Sequence, residues 1–89
     1  MWPFKNKPRQ TASEAEHAAQ LASMDCVVCD TPGPSEVHEP EQGLWFASIA
    51  LCPECHRGPQ GWHGYRDRWK LRHMDELKAI NETVRRIYG

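Results

Sequence analysis

The chain has 89 residues, including four cysteines, five histidines and four tryptophans, with 39% hydrophobic residues and a formal net charge of −1. A domain of this length buries only about 60%, or slightly more, of the surface its unfolded chain exposes, so a single marginal core that needs a staple is expected. No apolar run approaches the ~20 residues of a membrane-spanning helix, which excludes a membrane protein.

The start Met1-Trp2-Pro3-Phe4-Lys5 turns polar without the apolar stretch of an export signal, which argues against a secreted disulfide scaffold and for the cytoplasm. The charge is unevenly distributed. Residues 1–55 carry three Lys/Arg against eight Asp/Glu, and residues 56–89 carry eight against four, so −5 and +4 sum to −1. A basic C-terminal third is compatible with a polyanionic partner, though from charge alone solvated helix faces are the commoner reading.

In chain order, residues 1–10, with Pro3, Pro8 and three basic residues, read as a flexible arm. Residues 11–24 form a short helix, capped by Thr11 or Ser13 and rich in alanine, with Leu21 and Met24 as its bulky anchors. Residues 25–89 form the main domain. Short strands are expected at 36–38 and 45–51, joined through Pro40-Glu41-Gln42-Gly43. Pro53 stands at a favourable helix start, and Gly58-Pro59-Gln60-Gly61 interrupts that helix. A second helical region runs from near Tyr65 to Tyr88, with Met74, Leu77, Ile80, Val84 and Ile87 as an amphipathic stripe. Trp45, Phe46, Trp62 and Trp69 are the large side chains available to cover a core.

The cysteines supply the staple. Cys26-x2-Cys29 and Cys52-x2-Cys55 are separated by 22 residues. Two residues between cysteines let one tight turn aim both sulfurs at the same ion, and four thiolates complete a tetrahedral shell for Zn(II) or, less often, iron. Disulfides are disfavoured in a reducing compartment, and thioredoxin-like redox pairs do not usually come twice. Structural Zn(II) held by Cys26, Cys29, Cys52 and Cys55 is therefore expected, and its binding energy would dominate the folding of so small a domain.

Cys26-Val27-Val28-Cys29, Glu36-Val37-His38 and Leu51-Cys52-Pro53-Glu54-Cys55-His56-Arg57 resemble the zinc-stapled HNH endonucleases, and the stretch from Cys55 to Gly64 is similar to the phage RecA-dependent nuclease family called Ref. The resemblance spans about residues 24–88. It implies a small α+β fold: a zinc-knuckle-stabilised ββα-metal core, HNH and treble-clef-like, with a C-terminal amphipathic helix and a short N-terminal helix.

The resemblance also implies a metal-dependent DNA endonuclease. His38, His56 and His63 would hold a second divalent ion, Mg(II) or another, and Arg57, Arg66, Arg68, Lys70 and Arg72 would hold the phosphate backbone. Where the family carries a histidine as general base, this chain has Glu39. Either Glu39 accepts the proton, or His38 does while Glu39, His56 and His63 form the metal shell. The family's middle asparagine is missing as well, with Ala47 or Ser48 near its register. The resemblance further suggests a phage or prophage protein of the bacterial cytoplasm. Two alternatives stand beside the enzyme: a non-catalytic zinc-binding module for nucleic acid or a protein partner, and an inhibitor or adaptor that uses the C-terminal helix as its interface.

Overall fold

A computed structural model describes residues 9–89. The expected arm at 1–10, with Trp2 and Phe4, lies almost wholly outside the described residues. Helix α1 (Ala12–Ala22) opens with a capping box: the Glu14 amide donates to Thr11 Oγ1 at 3.1 Å, and Glu14 Oε1 accepts from the Thr11 amide at 2.7 Å. These two bonds satisfy amides that the first turn of a helix otherwise leaves unpaired. Its anchor is Leu21, which is fully buried, with Met24 packed partly against the same core just beyond the helix.

Strands β1 (Glu36–His38) and β2 (Ile49–Leu51) pair antiparallel, with Val37 opposite Ala50 and His38 opposite Ile49. The second strand is shorter than its apolar run suggested. Trp45–Ala47 winds into a 3-10 turn, closed where Ser48 Oγ donates to the Trp45 carbonyl at 2.7 Å. That turn sends Phe46 outward, 56% exposed and tilted against His17, and leaves Trp45 only half-buried. Of the four aromatics expected in the core, Trp69 is fully buried and Trp62 packs partly against it.

Helix α2 (Pro53–Arg57) opens at the second cysteine pair with Pro53 in its first turn, and Cys52 is its N-cap. The expected long helix from Tyr65 is divided into α3 (Asp67–Leu71) and α4 (Glu76–Tyr88). The chain reverses at His73, which adopts a left-handed conformation (φ 51°), and Asp75 then caps α4 by accepting from the Lys78 amide at 2.8 Å. Neither glycine nor proline marks this break in the sequence. The docked face of α4 also differs from the expected stripe. Ala79 and Thr83 are buried, Met74, Ile80 and Ile87 pack beside them, and Leu77 is 77% exposed.

Among the described residues, the architecture is thus a small α+β fold of two strands and four α-helices around a cysteine cluster. Its core joins Leu21 of α1, Val27 and Val28 of the first knuckle, Ile49 and Leu51 of β2, Trp69 of α3 and Ala79 of α4. Among the described residues, no helix is long and apolar enough to cross a membrane.

Candidate metal centres

The four cysteines are unpaired thiols whose sulfurs all lie within 4.8 Å of one another. Two local structures bring them together. In the first, the Asp30 amide donates to the Cys26 carbonyl at 2.9 Å, and Asp30 takes a left-handed conformation (φ 64°) that turns the chain back. In the second, helix α2 starts under Cys52, and the Cys55 amide donates to Cys52 Sγ at 3.4 Å. Pairing of β1 with β2 then sets one knuckle against the other.

Cys29 Sγ and Cys52 Sγ are 3.6 Å apart. Two sulfurs on one tetrahedral Zn(II), with bonds of about 2.3 Å, stand roughly 3.8 Å apart, so the spacing fits such an ion. The electrostatics agree. A hydrogen bond from Cys55 holds the Cys26 thiol down at about 4, while the same pairing and then burial push Cys55 up, and burial raises Cys52. With protons alone, negative charge collects on part of the cluster; a divalent cation lets all four sulfurs ionise. The four cysteines therefore form a site compatible with a structural metal such as zinc.

A second cluster lies beside it. One ring nitrogen from each of His38, His56 and His63 falls within 4.8 Å of the others. His38 ends β1 and is only 6% exposed, His56 is on α2 directly after the second knuckle, and His63 comes from the exposed loop beyond α2. That loop is pinned to α2 through its backbone: the Trp62 amide donates to the Cys55 carbonyl at 2.8 Å, and the His63 amide to the His56 carbonyl at 3.1 Å. The close approach needs glycine at both ends of the loop. A Cβ on Gly61 would run into the Glu54 carbonyl oxygen, and one on Gly64 into the Pro59 carbonyl oxygen.

Sequence reasoning missed the two carboxylates behind the histidines. Glu36 Oε1 accepts from His56 Nδ1 at 2.8 Å, and Glu76 Oε2 accepts from His38 Nε2 at 2.7 Å. Arg57 also grips Glu36, with Nε and Nη2 both on Oε2 (3.0 and 2.8 Å), and this pairing, followed by His56, holds the Glu36 carboxyl below its usual range. Burial lowers the pKa of His38 against the opposing pull of Glu76, which favours the neutral ring that a metal ligand requires.

These partners determine which ring nitrogens remain. With the His38 Nε2 and His56 Nδ1 protons directed to Glu76 and Glu36, His38 Nδ1 and His56 Nε2 face each other at 3.2 Å, a contact that one shared proton or one metal ion satisfies. Nitrogens on one tetrahedral ion at about 2.0–2.1 Å stand roughly 3.3–3.4 Å apart, close to the spacing found. Three imidazoles, two of them backed by carboxylates, fit zinc, cobalt or nickel. Mg(II), named above as one choice, takes oxygen ligands and does not match this donor set.

Glu39 is not among the clustered ligand atoms; its Oε1 is 3.5 Å from the Gly43 amide. Ser48, one of the two residues expected near the missing asparagine's position, is buried and turned to the Trp45 carbonyl. Four of the five expected phosphate-binding residues have partners within the chain. Arg57 pairs with Glu36, Arg66 stacks over Trp62 with 3.6 Å to the ring centre, Arg68 approaches Cys55 Sγ at 3.9 Å, and Arg72 pairs with Asp30 at 3.6 Å. Lys70 is exposed on α3.

No family model, curated protein or solved structure matches the chain. The nuclease resemblance rests on the motifs themselves, and the two clusters carry the functional argument.

Proposed function

We propose that the protein is a small metal-dependent DNA endonuclease of HNH type, in which Zn(II) at the four cysteines holds the fold and His38, His56 and His63 form the reactive centre. One observation carries this reading: one ring nitrogen from each of three imidazoles, on a strand end, a helix and a loop, lies within 4.8 Å of the others, and two of these nitrogens are 3.2 Å apart. The order of hairpin and then helix, each contributing a histidine, supports it. A transition ion at such a tripod polarises a phosphoryl oxygen and lowers the pKa of bound water.

The chain's own residues have separate tasks. Glu36 and Glu76 fix the orientation of His56 and His38. His63, which is exposed, leaves the centre open to a large substrate. With His38 in the ligand set, Glu39 is the remaining carboxylate at that strand end to accept a proton. Lys70, and the outward faces of Arg66 and Arg72, would meet the phosphate backbone.

Incubating the zinc-loaded protein with supercoiled and single-stranded DNA in Mg(II), Mn(II), Co(II), Ni(II) and Zn(II) tests the proposal. Cleavage is expected with the later transition ions, and it should be lost in His38→Ala and His56→Ala while the zinc content of the cysteine site stays constant. DNA left intact under every ion refutes it.

A second reading is a non-catalytic zinc-binding module for a protein partner, favoured by exposed Leu44, Phe46 and Leu77. An intact DNA substrate together with specific retention of a protein partner would select it.

A further inference from the structure

Glu76 is a charged residue on the apolar face of a docked helix. It lies three, seven and eleven residues before Ala79, Thr83 and Ile87, so it continues the side of α4 that packs into the core. The carboxylate is only partly exposed, at 29%, and its partner is His38 Nε2 at 2.7 Å, 38 residues away in sequence. Asp75 fixes the helix start, so the carboxylate is held by the helix and not by its own flexibility.

We infer that Glu76 is a positioning residue for metal binding: it fixes the tautomer of His38 so that Nδ1 faces the tripod, and so couples docking of α4 to assembly of the metal centre. The inference rests on the tripod proposed above. An isolated imidazole exchanges its proton between two nitrogens, and only the tautomer protonated at Nε2 presents Nδ1 as a ligand. Glu36 performs the corresponding task for His56, but Arg57 shares its charge. Among the described residues, Glu76 has His38 as its side-chain hydrogen-bond partner and no arginine competing for it. A glutamine at 76 keeps the shape but loses the charge, and its amide is able to donate as well as accept, so it no longer imposes the tautomer.

The test uses the full chain with zinc already bound at the cysteines. Co(II) and Zn(II) are titrated into wild type, Glu76→Gln and Glu76→Asp, following the heat of binding and the cobalt d–d bands. The second metal equivalent is expected to bind about 10–100-fold more weakly in Glu76→Gln, with Glu76→Asp recovering part of the loss and the thiolate site unchanged. Affinity within twofold of wild type in Glu76→Gln overturns the inference while leaving the tripod standing. A wild-type protein that takes up only the thiolate-bound metal overturns both. Ile80→Ala loosens α4 without touching the carboxylate, so equal weakening in that variant at matched melting temperature also overturns the positioning role.

Discussion

Among the described residues Trp69 is the largest fully buried side chain, and its removal gives the sharpest test of how α3 is held to the second cysteine pair. It is 1% exposed, lies 4.7 Å from the Trp62 ring centre, and donates Nε1–H to the Cys55 carbonyl at 2.8 Å. Truncation to alanine removes a large apolar surface and leaves a cavity, a combination that costs about 3–5 kcal/mol. Phenylalanine keeps most of that surface. The Cys55 carbonyl also accepts from the Trp62 amide at 2.8 Å, so it is not orphaned when the indole is lost.

The hydrogen-bond part of Trp69→Phe is therefore about 1 kcal/mol, with a similar amount for lost volume, or roughly 2 kcal/mol in all. At about 4–8 °C per kcal/mol for a domain of this size, Trp69→Phe should lower Tm by roughly 8–16 °C, and Trp69→Ala by at least about 12 °C. Thermal melts in saturating zinc, followed by circular dichroism, supply the comparison. A Trp69→Ala loss below about 1 kcal/mol would show that the indole does not join α3 to the knuckle. Equal losses in the two variants would show that the hydrogen bond, and not burial, dominates.

Three further outcomes are expected. Removing the cysteine-bound metal with a strong chelator should abolish the cooperative melt, because structural zinc contributes an apparent ~10–16 kcal/mol, comparable with the whole stability of an ordinary domain; a metal-free chain with an unchanged melt refutes the staple. Gly64→Ala should displace the His63 loop and weaken the second metal equivalent while sparing the thiolate site, and calorimetric titration with wild-type affinity would count against the loop geometry. Arg85 and then Arg86 hold the Glu82 carboxyl down at about 2, so below its ordinary 4.5 the unfolded chain binds the proton first and stability falls with pH. Guanidinium unfolding in saturating zinc should therefore weaken less from pH 5 to pH 4 in Glu82→Gln than in wild type, and identical slopes would exclude the linkage.

Much of the scaffold was legible because its signals are local. Cys-x2-Cys twice, Pro53 at a helix start, and a cap at Thr11 or Ser13, of which the structure uses Thr11, each encode a turn or cap within four residues. The division of α3 from α4 was not legible. It depends on His73 accepting a left-handed conformation so that Trp69 and Ala79 can both reach the core. The same limit applies to Phe46, whose outward turn follows from a 3-10 bend that an apolar triplet does not announce.

Residue spacing and side-chain chemistry alone mark the four cysteines and the three histidines as candidate metal ligands. The fold is what brings those histidines together, leaves Glu39 outside their cluster, and sets Glu36 and Glu76 behind two of them. The cause is separation along the chain: His38 and Glu76 are 38 residues apart, and no local pattern reports a contact made by docking one helix beside a strand. The arginines changed meaning for the same cause, since a basic residue in sequence becomes an ion-pair partner or a stacking group once the fold supplies the other half.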